Sequence, residues 1–462
     1  VPAIGPTSPI LSYIGAFRLM FDSSRTIQEG YDKVISLTYK LALRSWTVIV
    51  SGAQLIEDVR KAPEDVLTFE AAIDEAIHAL APKTRRSHFH IPIIQTQLTR
   101  ELTNSFDAIR DEVGTAFFEV APLTDEWSRC PALDTTLEVV ARTTHRTFVG
   151  LPLCRDPDYI SMCKDFAMNI SKAAWVIRLF SPRLKPLVGR PFVNVPAALE
   201  SCIAHLRPEV EKRRENMKLY GKDYEGKPQD ILSWFMDDVD GDTDEEKLRH
   251  VAFHLMIINF GAVYTVATSF TQALYHLAAH PECIEPLREE IERVTTDEGW
   301  TRAAMGELRK LDSFLKESQR ISGLGAISSY RRVLKPFTFS NGMTIPAGMT
   351  IGVAAWSTHL DEAVYPNAHA FDGFRYVVDN EENGQAQIQM VSSSPNFLAF
   401  GLGRHMCPGR FFTVIVLKAM MIHILMNYDL KLENEGERPK DHWFVTENIP
   451  DSTASVLLRR RA

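Results

Sequence analysis

Six cysteines are all the chain has, Cys130, Cys154, Cys163, Cys202, Cys283 and Cys407, with no Cys-x-x-Cys pair and no regular spacing. That scatter excludes a disulfide framework and a zinc ribbon, and it points to a reducing compartment. Positive charge is short as well: 51 lysines and arginines against 59 acidic residues leave a net of -8. Nucleic-acid binders collect phosphates with a basic excess, so no nucleic acid is expected as a partner. No uncharged apolar run reaches the roughly 18 residues that cross a bilayer. The longest, 251–263, carries His254 and Asn259, so no transmembrane helix is expected within these residues. Gly-x-Gly-x-x-Gly, P-loop and iron–sulfur cysteine patterns are missing, so electrons and nucleotides must be handled elsewhere. Repeats and low-complexity tracts are missing too, and no composition break divides the chain.

What is present is an ordinary globular composition, 45% hydrophobic and 24% charged over 462 residues, enough to bury a large core. Pro2, Pro6 and Pro9 make the start stiff, so residues 1–26 read as a linker following a membrane anchor upstream of Val1. Between Ile27 and Ala279 apolar residues recur three and four apart, notably over 94–118, 133–148, 160–179 and 197–220, which predicts helices. Thr243 with Glu246 three residues on forms a capping box, and Pro281 closes the pattern, predicting one helix over 243–279. At 1.5 Å per residue that helix is about 55 Å long. Alternation over 328–356, with turns at Asn341-Gly342 and Pro346-Ala347-Gly348, predicts a small sheet. An irregular stretch over 361–395 and a glycine loop over 400–409 precede a hydrophobic helix over 411–426. The fold class is therefore mainly α, one large α-rich domain over 1–462 with a small β portion.

The chemistry concentrates in Phe400-Gly401-Leu402-Gly403-Arg404-His405-Met406-Cys407-Pro408-Gly409-Arg410. Cys407 stands just ahead of a helix, where the macrodipole and unpaired N–H groups favour a thiolate. Gly401, Gly403 and Gly409 let the backbone approach a flat, bulky group, while Arg404, His405 and Arg410 can meet its anionic substituents. Such a thiolate suits an axial iron ligand. The other five cysteines read as small buried hydrophobes.

This loop resembles the haem-binding signature of the cytochrome P-450 monooxygenases, and further pieces follow in that family's order. Glu317-Ser-Gln-Arg320 resembles its Glu-x-x-Arg helix, and Phe371-Asp-Gly-Phe-Arg375 the meander whose arginine completes a Glu317, Arg320 and Arg375 network. Arg331 stands where family members send an arginine to a haem propionate. The segment 88–100, ending in Arg100, replaces a Trp-x-x-x-Arg pattern, as in the fungal, microsomal branch. Arg100 is thus either a propionate partner or a plain surface residue. On the long helix, Gly261-Ala262-Val263-Tyr264-Thr265 matches the distorted segment over the iron, with Thr265 as the oxygen-activating threonine and Tyr264 where an acid is usual. A carboxylate relays protons near neutral pH, whereas a phenol of pKa about 10 mainly holds a hydrogen bond. Gly261 either leaves room at the iron or permits close helix packing.

The resemblance implies haem b held between the long helix and the Cys-loop helix. Cys407 is then the iron ligand, Phe400, Gly403, His405, Gly409 and Arg331 frame the cofactor, and Gly261, Tyr264 and Thr265 are catalytic. It implies insertion of one oxygen atom from O2 into a hydrophobic small molecule, such as a terpenoid or other secondary metabolite. NADPH enters only through a separate flavoprotein reductase. Pocket candidates by position are 69–80, Asn259, Ala262, Val263, Val266, 324–328 with Leu324 and Ile327, and 452–454 with Thr453, each otherwise ordinary core. Apolar and basic residues mix over 175–196, which suits a membrane surface or a partly buried loop over the pocket. A monomer on the cytosolic face of the endoplasmic reticulum is expected. Two rivals remain: a haem-thiolate enzyme that forms rings, desaturates, isomerises or dehydrates, and a haem protein without turnover.

Overall fold

The computed structural model of the chain describes residues 3–4, 18, 21–33, 38–42, 46–72, 89–177, 185–189, 191–377, 389–434 and 436–461. Among the described residues, the helices of eight residues or more are α1 (Ser23–Lys33), α2 (Ala53–Lys61), α3 (Thr99–Val120), α4 (Ala132–Phe148), α5 (Pro157–Ile177), α6 (Val195–Tyr220), α7 (Ile231–Asp238), α8 (Asp244–Ala279), α9 (Ile284–Glu298), α10 (Arg309–Ile321) and α11 (Arg410–Asn427). The apolar periodicity at 94–118 yields more than one helix. His90–Ile93 leads into a π-helical turn, Ile94–Leu98, before α3 begins. Threonine hydroxyls bond back here, Thr96 to the Pro92 carbonyl at 2.7 Å and Thr99 to that of Ile94 at 3.3 Å, a pattern that widens a helical turn.

α8 is the axis of the molecule. Thr243 Oγ1 accepts the Glu246 N–H at 3.2 Å and Glu246 Oε2 accepts the Thr243 N–H at 3.3 Å, so the capping box closes in both directions. The helix runs without interruption to Ala279 and packs against α4, α5, α6 and α10. By length and composition alone α8 and α11 could each cross a membrane, but 61% and 67% of their most apolar windows are buried inside the protein. They are core helices, which accounts for apolar residues nearly all round.

A six-stranded sheet has the order β1 (Ala3–Ile4), β2 (Thr38–Ala42), β3 (Trp46–Val50), β9 (Thr350–Ala354), β6 (Ile327–Val333), β4 (Leu67–Thr68). β3 pairs in parallel with β9, with Val48 opposite Ile351, and β6 pairs antiparallel with β9 across a register shift between Ser328 and Arg331. The short strands β7 (Phe337–Thr338) and β8 (Thr344–Ile345) form the hairpin around Asn341-Gly342. A second sheet joins β10 (Tyr428–Leu432), β13 (Ser455–Arg460) and β5 (Ser128–Pro131), and β11 (His442–Phe444) pairs with β12 (Glu447–Ile449) as a C-terminal hairpin. The span read as a linker, 1–26, contains β1 and the start of α1. Ile27 and Tyr31 of α1 are buried against Ile49, Ala326 and Ala354, and that apolar spacing extends the fold towards the N-terminus.

Candidate active site

Two helices and a loop bring the charged residues together, beginning with Glu317 and Arg320 on α10. Both are 0% exposed, a turn apart on one face. Arg320 Nε and Nη2 donate to the two Glu317 carboxylate oxygens, each at 2.7 Å. Its remaining N–H groups reach the carbonyls of His359 and Ala368, both at 2.6 Å, and of Ala370 at 3.2 Å, so all five guanidinium donors are used. Arg375 Nε donates to Glu317 Oε1 at 3.0 Å, and the Asp372 N–H donates to the same oxygen at 3.1 Å. Phe371 stacks between His276 and His280, with ring centres 4.4 and 4.6 Å away. A Cβ at Gly373 would lie 2.9 Å from Cys283 Sγ, which is why glycine separates the two phenylalanines. The meander is thus clamped onto α8 and α10.

In the loop, the Cys407 N–H donates to the Phe400 carbonyl at 2.9 Å and the Met406 N–H to that of Gly403 at 3.1 Å, folding the chain around a turn over Gly403–His405. Gly403 has φ 72°, and a Cβ there would stand 2.6 Å from Arg60 Cγ, so both conformation and space require glycine. Gly409 caps α11 at its N-terminus. Burial pushes the Cys407 thiol up, and the N–H groups of Gly409 and Arg410, with the Arg410 guanidinium, work against it. Desolvation therefore outweighs the helix start that alone would lower it. Thiolate character must come from a cation bound at sulfur.

Beside the loop, His405 Nε2 lies 2.5 Å from Glu64 Oε2, and Phe69 packs against its ring. Burial, with Arg331 nearby, pushes His405 below the usual imidazole range. Arg331, on β6, is 3% exposed, and among the described residues its one hydrogen bond goes to its neighbour's carbonyl, Tyr330 O, at 2.7 Å. No carboxylate lies within ion-pair distance of it among the described residues, and burial pushes it down to about 10.

On α8, Gly261 is exposed in the middle of a buried helix, and a Cβ there would meet nothing within 4 Å. It does not serve close helix packing. Thr265 Oγ1 donates to the Gly261 carbonyl at 2.6 Å. The distortion implied by the resemblance is not present: the helix stays continuous, and the threonine hydroxyl is satisfied one turn back. Tyr264 is half-buried against the core. Burial pushes its phenol up to about 12, with the Thr268 hydroxyl opposing and the Glu447 charge adding.

A profile of the cytochrome P-450 family matches residues 84–454. The chain belongs to the cytochrome P-450 family. Cytochrome P-450 monooxygenase 151 of Postia placenta is 40% identical over 100% of this chain and 94% of its own length. A cytochrome P-450 monooxygenase of Ganoderma lucidum is 31% identical over 100% and 92%. Cytochrome P-450 monooxygenase paxQ of Penicillium paxilli is 30% identical over 100% and 92%. Cytochrome P-450 proteins are haem-iron oxidoreductases that generally draw electrons from a redox partner, and the residues here fit that cofactor. Arg331 is a buried cation with no ion-pair partner among the described residues, and Gly261 leaves room for a flat group. Among the described residues no group of three His, Cys, Asp or Glu could hold a metal ion without a prosthetic group.

Other candidates are placed differently. Arg100 is 76% exposed beside Glu101, the surface-residue alternative. Asn259 is buried, accepting from His145 Nε2 at 2.9 Å and donating to the Cys163 carbonyl at 2.9 Å. Val263, Val266 and Ile327 are core, whereas Ala262 and Leu324 are half-buried. Thr453 is exposed, and its hydroxyl donates to Asp451 Oδ1 at 2.7 Å. At about 100° per residue, positions 259, 263 and 266 point 140–160° away from Gly261, so the helix face expected from the sequence is turned away from it. The segment missed is the turn of the C-terminal hairpin. The Ala326 N–H donates to the Thr446 carbonyl at 2.8 Å and the Asn448 N–H to that of Leu324 at 2.9 Å, putting 445–448 against the strand after α10. Of 69–80, residues 73–80 lie outside the described residues, as do His88, 178–184 and 190.

Proposed function

We propose that the chain is a haem-thiolate monooxygenase that inserts one atom of O2 into a hydrophobic small molecule, a terpenoid or other secondary metabolite. The other atom leaves as water. Two electrons come from NADPH through a separate flavoprotein reductase, and the net reaction also consumes one solvent proton. Haem b, when bound, supplies the redox iron at which dioxygen is split. Cys407 holds that iron through sulfur, and Arg331 and His405 meet its propionates. Phe400, Gly403 and Gly409 shape the loop beneath it, Gly261 leaves space above it, and Thr265 holds a proton ready for oxygen. Ala262 and Leu324, half-buried and apolar, line the substrate side with the hairpin turn at Thr446.

Arg404 and Arg410, around a cavity of about 220 Å³ that also includes Gln95 and Thr99, give a basic face close to Cys407 for an acidic reductase surface. Leu187 at 68% exposure and Phe192 at 38% suit the cytosolic surface of the endoplasmic reticulum membrane. The enzyme works as one domain and as a monomer.

The observation that carries this reading is the Cys407 loop, folded by the Cys407 N–H to Phe400 carbonyl bond at 2.9 Å just ahead of α11. The test is the reduced protein under carbon monoxide, which should give a thiolate-type spectrum that Cys407→Ala abolishes. A thiolate-type spectrum in Cys407→Ala would sink the proposal. Tyr264, a phenol rather than an acid, favours the non-hydroxylating rival. In coexpression with a reductase, product formed without NADPH and O2 would decide for that rival.

A further inference from the structure

α8 carries a second feature that the family resemblance does not supply. On a helix turning about 100° per residue, Tyr264, Thr265, Thr268, Gln272 and His276 all fall within about 60° of Gly261. They make a polar stripe running from the active site towards the C-terminal end of the helix. Thr268, Gln272 and His276 are buried. Buried polar groups cost stability unless bonded, so a stripe of them asks for a reason.

Polar groups of the C-terminal hairpin meet the stripe. Gln272 Nε2 donates to Asp441 Oδ1 at 3.0 Å, Asn448 Nδ2 donates to Asp441 Oδ2 at 3.2 Å, and Arg438 donates to Gln272 Oε1 and to Asp441. His276 Nε2 lies 3.0 Å from Ser322 Oγ, which also accepts from Arg438 at 3.0 Å. Among the described residues, several atoms along this seam have no hydrogen-bond partner: Asn448 Oδ1, His276 Nδ1 and Arg438 Nε. Such clustered, buried, polar atoms are the usual lining of ordered internal water. The seam reaches solvent at one end, where Asp441 and Arg438 keep 16% and 21% of their side chains exposed. At the other end, the Thr268 hydroxyl faces Tyr264, beside Thr265.

We propose that this seam is a water-lined proton path from solvent at Asp441, past Gln272, Asn448 and Thr268, to Tyr264 and Thr265. It does the work of the acid that α8 lacks before its threonine. A proton taken up by Asp441 is matched by one released at Thr265 to the oxygen being reduced. Each hydroxyl and water between gives up one proton and receives the next, so the path returns to its starting state. Electrons still come from NADPH through the reductase. The path rests on the haem-thiolate reading above.

The experiment uses the haem-loaded full chain with its reductase. Thr268→Val puts a methyl in place of the hydroxyl, so the relay atom is lost while the branched shape is kept. It should retain the thiolate-type carbonyl spectrum, lose threefold or more in product per NADPH, and release the difference as peroxide. Thr268→Ser should restore coupling, which a packing role would not predict. Asp441→Asn should uncouple likewise, with a larger solvent deuterium isotope effect on product formation. A crystal structure should show ordered water at Asn448 Oδ1 and Thr268 Oγ1. A dry seam, or coupling and isotope effects unchanged in both Thr268→Val and Asp441→Asn, overturns the path alone. A wild-type protein lacking the thiolate spectrum would overturn the path and the haem-thiolate reading together.

Discussion

Glu317→Ala tests the clamp between α10 and the meander. In the intact protein four donors converge on one carboxylate: Nε and Nη2 of Arg320, Nε of Arg375 and the Asp372 N–H. Arg320 is fully buried, so the substitution strands a charge with no route to water. Breaking such a pair costs about 3–5 kcal/mol, and the donors of Arg375 and Asp372 add about 1–3 kcal/mol each where they stay dry. The sum, about 5 kcal/mol or more, is comparable with the whole stability of a typical domain, about 5–15 kcal/mol. Little haem-loaded protein is expected. Replacing both members by apolar residues often rescues a buried ion pair. Here Glu317→Leu with Arg320→Met should not, because Arg320 also serves the carbonyls of His359 and Ala368, which would be orphaned. The assay is the amplitude of the thiolate-type carbonyl spectrum per mole of chain, with the urea midpoint of the purified protein. Wild-type values in Glu317→Ala, or full rescue in the double variant, would refute the reasoning.

Three further outcomes follow from single residues. Arg331→Met should act with opposite signs, raising the urea midpoint of haem-free protein and speeding haem loss from the loaded enzyme; a lower haem-free midpoint would mean that the guanidinium already has its partner. Thr265→Ala should keep haem and oxygen binding while product per NADPH falls and peroxide rises, and unchanged coupling would remove this hydroxyl from oxygen activation. His145 is buried and His423 half-buried, and desolvation pushes each down to about 4. The folded chain thus binds fewer protons than the unfolded one between pH 6.5 and about 4, and stability falls as pH drops through that window. Each histidine should cost about 2 kcal/mol between pH 7 and pH 5, and His145→Gln should flatten the urea midpoint against pH; an equally steep profile would show that His145 does not titrate there.

The parts of the site that could be read from the sequence are those whose partners lie close together along the chain. Glu317 and Arg320 are one helical turn apart, and the Cys407 loop carries its glycines and cation-bearing neighbours within eleven residues. The capping box that starts α8 is likewise local. What could not be read depends on distant pairings. β3 finds β9 across some 300 residues, Glu64 reaches His405, and β5 completes a sheet whose other strands lie at the far end of the chain. No local pattern encodes such partners, because register is settled by which buried faces meet.

The pocket assignments on α8 depend on something else, because helical spacing defines a face without saying which way that face points. Asn259, Ala262, Val263 and Val266 stand three, four and seven apart and share one helix face, but Asn259, Val263 and Val266 are buried in the core. Counted that way from Gly261, the residues that share its face are Thr265, Thr268, Gln272 and His276, all with polar side chains. Desolvation explains why that grouping carries meaning: a valine costs nothing to bury and says little about function, whereas a glutamine at the same depth must be answered by a partner. Gln272 is answered by Asp441 and Arg438, from a segment more than 160 residues away. The helical wheel can therefore show from sequence alone that a buried polar stripe exists, and only the folded chain shows that the stripe opens at a carboxylate in contact with solvent.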